Sequence, residues 1–284
     1  MNYRHAYHAG GAADVLKHAV LALTIEYAKQ KPTPLRVLDT HAGLGRYDLE
    51  ATQATKTGEW CEGIGRLLGP EASALPADVA AILAPYLGVV SGENPLQTLR
   101  HYPGSPLIAR RLLRPQDRLI ATELHPDDCA ALARRFARDS QTKIVALDGW
   151  LALKAFLPPR ERRGIVLIDP PYEDRDELRL LPDRLAAAIR RFEGGTYLLW
   201  YPIKDVAAVE VFQARLRTLG IAKMLSVELM LRAPHNPLLL NGSGLIVVNP
   251  PWTLPAQLEI LAPFLGQRLA LEEGGGHAIE WLVE

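Results

Sequence analysis

Short apolar, β-branched runs recur along the chain, each ending in turn chemistry or an acidic residue, as strands buried on both faces do. In order they are LRVLDT (35–40), RLIATEL (118–124), TKIVALD (142–148), GIVLIDP (164–170), GTYLLWYP (195–202), AKMLSVELML (222–231) and SGLIVVNP (243–250). Helical patterns separate most of them: DDCAALARRFARDS, LPDRLAAAIRRF and DVAAVEVFQARLRTLG. In the last, Val206, Val209, Phe212 and Leu216 form a one-sided stripe. The sixth and seventh runs are joined only by the Pro/Asn/Gly-rich RAPHNPLLLNG, which predicts an antiparallel pair. Strand–helix alternation closing in a hairpin predicts a doubly wound α/β sheet of seven strands with the last antiparallel.

One interval breaks this rhythm. About 78 residues separate the first run from the second, more than one crossover helix can fill. YPGSPLIARRLLR (102–114) reads as the crossover helix, with Ser105 as N-cap and Pro106 at the first helical position. Residues 47–100 are then expected to be a helical insertion, with helices around GEWCEGIGRLLG and LPADVAAILAPYLGVV. The main domain would comprise 1–46 and 101–284. Insertions of this size beside a cleft serve as lids or substrate platforms.

Composition narrows the class. A chain of 284 residues with 48% hydrophobic content can bury a sizeable core. Cys61 and Cys129 show no CxxC spacing, so neither a disulfide framework nor a zinc site is expected and a reducing cytoplasm fits. MNYRHAYHAGG lacks the apolar segment of a secretory signal, and no run suggests a membrane span. Net charge is zero, yet residues 100–163 hold 13 Lys/Arg against 7 Asp/Glu. The clusters Arg110, Arg111, Arg114 and Arg134, Arg135, Arg138 read mainly as solvated helix faces.

Candidate chemistry gathers at strand ends. LDTHAGLGRY closes the first strand with Asp39, Gly43 and Gly45, where glycine lets backbone approach a ligand. The third glycine of GxGxxG is missing, and an acid before the loop would repel a pyrophosphate. The loop suits S-adenosylmethionine (SAM), which presents an ammonium, a sulfonium and neutral hydroxyls. Glu123 closes the second strand, where an acid accepts the ribose hydroxyls of an adenosyl group. At the end of the third, Asp148 can accept from an adenine amino group while Gly149 donates its backbone N–H. With Asp169, four successive strands end in an acid at one edge of the sheet.

The fourth run delivers Asp169-Pro170-Pro171-Tyr172. The exocyclic amine of a purine is a poor nucleophile because its lone pair is delocalised into the ring. Two acceptors on its N–H bonds, the Asp169 carboxylate and the Pro170 carbonyl, localise that pair toward a methyl donor. The prolines stiffen the loop, and Tyr172 offers a face to an extruded base. A near copy, Asn249-Pro-Pro-Trp252, ends the seventh run. That strand is expected near the sheet edge and antiparallel, its carboxyl end facing away from the cofactor loops. Asn249 would then cap a strand and Trp252 pack the C-terminal segment.

The N-terminus interleaves Tyr3, His5, Tyr7, His8, Lys17 and His18, a mixture suited to gripping a base and its phosphates. His18 and His41 lie where they could approach the cofactor. Both are too isolated from other ligand types to suggest a metal.

Taken together, YRHAYHAG…ADVLKH, LDTHAGLGRY, YPGSPLIARRLLR, TELHP, GIVLIDPPYE, GTYLLWYP and SGLIVVNPPW closely resemble the RlmJ family of bacterial 23S ribosomal RNA methyltransferases, essentially end to end. The resemblance implies a Rossmann-like SAM-dependent methyltransferase fold with a small helical insertion after the first strand, and S-adenosylhomocysteine as product. It implies methylation of an adenine at N6, with Asp169 catalytic and SAM contacts at His18, His41, Ser105, Glu123, Asp148, Gly149 and Asp169. Tyr3 becomes the substrate-facing tyrosine of a substrate-facing segment 1–20, with His5 and Lys17 on the substrate side. One departure is GGAADVLKH, where the family pattern has Asn-His before Ala-Asp. The partner expected is 23S rRNA, with no metal and no membrane, and the protein a cytoplasmic monomer.

Three rivals remain open at this point. A methyltransferase of protein glutamine or a small amine would use the same Pro-Pro-aromatic pocket. A non-catalytic RNA-binding factor would need no cofactor. A nicotinamide-linked oxidoreductase is disfavoured by the missing glycine.

Overall fold

The computed structural model describes residues 4–96, 98–173 and 176–284. Eight strands form one sheet: β1 (Arg36–Asp39), β4 (Arg118–Glu123), β5 (Thr142–Ala146), β6 (Gly164–Ile168), β7 (Thr196–Ile203), β8 (Met224–Met230), β9 (Gly242–Val248) and β10 (Gly276–Val283). Their order is β10-β8-β9-β7-β6-β1-β4-β5. The pairs β5–β4, β4–β1, β1–β6 and β6–β7 are parallel. β9 runs antiparallel to both β7 and β8, between which it lies.

Two expectations need correction here. The sheet has eight strands, because β10 pairs antiparallel with the outer side of β8. Most of its residues are exposed or half-buried, so it carries no apolar run for a sequence pattern to reveal. The seventh predicted strand, β9, is not near the edge: it is threaded between its neighbours and buried along its whole length.

Successive strand residues point to opposite faces, and the two cores follow that alternation. Val37, Leu119, Ile165, Leu167, Leu198 and Val247 belong to one core. Leu38, Ile120, Val166, Ile168, Leu199 and Ile246 belong to the other. The first face is covered by α1 (Ala12–Ala28), α5 (Ala77–Gly92), α6 (Ser105–Leu112) and α11 (Leu254–Arg268). The second is covered by α8 (Gly149–Phe156), α9 (Glu177–Arg191) and α10 (Val206–Arg217). Of the α10 stripe, Val209, Phe212 and Leu216 are buried, while Val206 at the first turn is exposed.

Helix α1 is buried around most of its circumference, 13 of its 17 residues being inaccessible. Polar groups on such a helix must find partners inside the protein. That condition shapes the site.

Residues after β1 leave the sheet through β2 (Arg46–Asp48) and return through β3 (His101–Pro103), which pair antiparallel. Between them lie α2 (Thr52–Thr57), α3 (Glu59–Glu62), α4 (Gly65–Leu68) and α5. Val79, Leu83, Tyr86 and Val90 of α5 share the core of α1. At α6 the N-cap is Gly104, and Ser105 is the first helical residue, one position later than expected.

Of the basic clusters, Arg110 binds Asp139 and Gln141, and Arg111 binds Glu93. Arg114 binds Asp117 and the carbonyls of Lys29, Lys31 and Thr33. Arg110 and Arg114 thus staple the fold instead of forming a solvated face, whereas Arg111 is exposed as expected. Arg134, Arg135 and Arg138, on and just beyond α7 (Pro126–Arg135), are exposed.

Candidate active site

The parallel strands bring Asp39, Glu123, Asp148 and Asp169 to one edge of the sheet. Asp39 and Glu123 end β1 and β4, Asp169 follows β6, and Asp148 lies just beyond β5 as the N-cap of α8. The loop after β1 bends over this edge. Gly43 and Gly45 both have positive φ, +58° and +74°, a conformation glycine adopts without steric cost. A Cβ on Gly43 would stand 2.2 Å from the Tyr47 hydroxyl. Glu123 fixes the loop from below: Oε2 accepts from Gly43 N–H and Oε1 from His125 N–H, both at 2.8 Å.

A cavity of about 240 Å³ opens here, lined by His18, His41, Gly43, Ser105, Glu123, Asp148, Gly149 and Asp169 among others. One oxygen of Asp148 caps α8, accepting from Trp150 and Leu151 N–H. Gly149 lies so close to the His41 ring that a Cβ would come within 2.5 Å of it. Asp39 is buried, its Oδ1 accepts from His41 N–H at 3.3 Å, and its Oδ2 has no partner. Burial, reinforced by the charge of Asp169, raises its carboxyl to about 7. Burial lowers His41 to about 4 and His18 to about 3, so both rings are neutral near pH 7.

Helix α1 meets this edge with Asp14, Lys17 and His18, the i, i+3 and i+4 positions of one face. Asp14 Oδ2 accepts from Gly10 N–H at 2.9 Å and stands 3.0 Å from His5 Nε2. Its Oδ1 lies 2.8 Å from Lys17 Nζ and 3.9 Å from His18 Nε2. Lys17 Nζ also donates to Asp169 Oδ2 at 2.5 Å. Burial opposes both charges, yet His5 and Lys17 hold the Asp14 carboxyl well below its usual range. Asp14 and Asp169 in turn raise the Lys17 ammonium. His18 Nδ1 is 2.7 Å from the Tyr102 hydroxyl, which is 2.9 Å from that of Tyr86. The Asp14 charge favours a proton on Nε2, which leaves Nδ1 to accept from Tyr102.

Beyond Asp169 the loop packs tightly. Pro170 is buried, and Tyr172 takes a positive φ of 52°. Its hydroxyl donates to the Trp200 carbonyl at 2.5 Å, and its ring meets the Trp200 ring edge-on with centroids 5.4 Å apart. Tyr172 and Trp200 border a second cavity of about 540 Å³. His5, Lys17, Asp169 and Pro171 line both cavities, so the Lys17–Asp169 pair stands between them.

Every predicted site residue within the described structure is therefore at this edge, and Tyr3 lies outside the described residues. Two participants were missed. Asp14 pairs with Lys17 and His18, and its signal was an acid one turn before a Lys-His pair on the same helix. Trp200 was hidden in a strand that read as plain core.

The second Pro-Pro motif lies elsewhere. β9 ends at the opposite edge, where Asn249 donates to the carbonyls of Glu193 and Gly195, both at 2.8 Å. Trp252 does not pack the C-terminal segment as expected: it is 78% exposed, on the turn before α11. Among the described residues no cluster of His, Cys, Asp and Glu could hold a metal, and no helix is long and apolar enough to cross a membrane.

Acids at successive strand ends repel a pyrophosphate and complement a sulfonium and an ammonium. The unpartnered Asp39 oxygen and the close backbone approach at Gly149 fit such a nucleoside. Fold and cavity thus define the class, a Rossmann-like methyltransferase that uses S-adenosylmethionine. Residues 32–283 match the family model described as ribosomal RNA large subunit methyltransferase D, RlmJ. The chain belongs to the RlmJ family. It is 44% identical to ribosomal RNA large subunit methyltransferase J of Escherichia coli, spanning 100% of this chain and 99% of that one. The Haemophilus influenzae protein of the same name is 42% identical over the same shares. A crystal structure from Legionella pneumophila superposes with a TM-score of 0.86 at 34% identity, covering 96% of this chain and 98% of the other.

Proposed function

We propose that this chain methylates the exocyclic N6 of one adenine in 23S ribosomal RNA, releasing S-adenosylhomocysteine. The observation that carries this reading is Asp169, which borders both cavities and so has room for a cofactor on one side and for a base on the other.

When bound, SAM supplies an electrophilic methyl on a sulfonium. The chain's residues do the rest. Glu123 retains lone pairs that would hold ribose hydroxyls, the uncapped oxygen of Asp148 and the Gly149 N–H would hold the adenine, and the neutral His18 would offer Nε2–H to the cofactor's carboxylate. His41, Gly43 and Ser105 complete the cradle. On the other side Asp169 and the Pro170 carbonyl accept the two N–H bonds of the target amine. Lys17 donates to Asp169 Oδ2 and so fixes the carboxylate, leaving its other oxygen to accept from the amine. Positioning and electrostatics dominate this chemistry, and the amine proton leaves toward Asp169 and solvent. Tyr172 and Trp200 wall the base, with His5 and Lys17 on its flank, and Tyr3, outside the described residues, is assigned to the substrate. In the same reading residues 47–100 are an insertion on a main domain of 1–46 and 101–284, and the protein is a cytoplasmic monomer.

The test is in vitro transfer. Purified protein with labelled SAM should methylate protein-free 23S rRNA from cells lacking the gene, with the label in N6-methyladenine. Label entering protein extracts but not rRNA would favour the glutamine reading and reject this one.

A further inference from the structure

The cavity beyond the Lys17–Asp169 pair has about twice the volume of the cofactor cavity, 540 against 240 Å³. A pocket of that size encloses a whole drug-sized molecule, more than one purine ring fills. Asp169, Pro171, Tyr172 and Trp200 contribute to its wall as the acceptor end. The remainder is lined by Lys204, Arg232 and the leucines of the β8–β9 connection, Leu238, Leu239 and Leu240.

That remainder has two properties the core does not explain. Leu238 is 87% exposed and Leu239 42%, although both belong to a run of three leucines beside the cavity. Cationic groups also stand beside them. Lys204 is exposed, and Arg232 has its Nη1 3.4 Å from Glu272 Oε1 while its Nε is buried without a partner. The cavity's acids are already engaged: Glu59 with His8, Glu62 with Arg66, and Asp14 with Lys17. Apolar side chains next to cations, here the exposed Lys204 and the partly paired Arg232, are what an unstacked nucleotide needs, one set for its base and the other for its phosphate.

We propose that this end is a second nucleotide subsite. It takes the nucleotide adjoining the acceptor adenine, with the base against Leu238 and Leu239 and the phosphate at Lys204 and Arg232. The proposal rests on the rRNA reading above and deepens it: the enzyme unstacks two nucleotides, and the second contributes sequence context. A second copy of the chain would also cover exposed leucines, but it would not match the cations.

Steady-state methylation of 23S rRNA by wild type, Leu238→Ser/Leu239→Ser and Lys204→Ala tests it. The leucine variant should raise KM for rRNA by about tenfold, the loss expected when one base forfeits the apolar surface it packs on. Its kcat and its affinity for SAM should stay unchanged. Lys204→Ala should raise KM less and flatten the salt dependence by about one phosphate contact. In an rRNA fragment made abasic beside the acceptor adenine, wild type should fall to the level of the leucine variant, and that variant should lose nothing further. Unchanged KM in both variants, or an equal abasic penalty in wild type and leucine variant, overturns the proposal. So does loss of a concentration-dependent dimer in the leucine variant, which would assign the leucines to self-association. If wild type transfers nothing to rRNA, the functional reading falls first and the proposal with it.

Discussion

The Lys17 ammonium donates to Asp169 at 2.5 Å, tying the first helix of the chain to the loop after β6 across 152 residues of sequence. The pair is nearly inaccessible to solvent on the lysine side and lies where the two cavities meet. Breaking a buried pair from one end strands the other charge, at a cost of about 3–5 kcal/mol. Lys17→Met should therefore lower unfolding free energy by several kcal/mol and lower kcat, as Asp169 loses the donor that positions it. Urea unfolding and steady-state methylation check both. A stable variant with unchanged kcat would show that Lys17 does not position Asp169.

The titration of Asp39 runs against stability. Its carboxyl is raised to about 7 in the fold, above the roughly 3.9 of an unfolded aspartate. Between these values the folded state binds the extra proton, so stability falls as pH rises through the window. Asp39→Asn should stabilise the ligand-free protein at pH 8 by on the order of 2 kcal/mol, make little difference at pH 4, and weaken SAM binding. Unfolding curves at the two pH values and calorimetry with SAM measure this.

His18 and His41 work in the opposite sense. Their folded values of about 3 and about 4 lie below that of a free histidine, near 6.5. Here the unfolded chain takes up protons first, so their contribution is present above pH 6.5 and is lost as pH falls toward 4. His41→Asn should flatten the acid limb of the stability curve, and an unchanged limb would contradict the buried neutral ring.

Tyr102→Phe removes the hydroxyl that donates to His18 Nδ1 without emptying its volume. Losing this buried hydrogen bond should cost about 1 kcal/mol and release the tautomer. SAM affinity should drop several-fold, and ¹⁵N spectra should show His18 moving from a single Nε2–H form to a mixture. Unchanged spectra would mean Asp14 alone sets the tautomer.

Much of the fold was legible because the central strands are buried on both faces and so appear as continuous apolar runs. The four strand-end acids followed from those runs, since parallel neighbours must end at one edge. β10 was not legible: an edge strand with mostly exposed residues has no such run. The threading of β9 between β7 and β8 is set by pairing across the sheet, which spacing along the chain does not encode. Ser105 shifted by one position because the extended residue that precedes the helix is Gly104, which carries no side chain to signal a cap. Asp14 escaped notice because its partners His5, Lys17 and His18 converge only once α1 is buried.

The central claim is that Asp169 presents the N6 amine of an rRNA adenine for methylation. Mass mapping of N6-methyladenine in 23S rRNA tests it most directly, in cells lacking the gene and complemented with wild type or Asp169→Ala. One adenine should lose its methyl group in the deletion, regain it with wild type, and stay unmethylated with Asp169→Ala although that variant folds and accumulates normally. Identical rRNA maps with and without the gene, or full methylation by Asp169→Ala, would contradict the account.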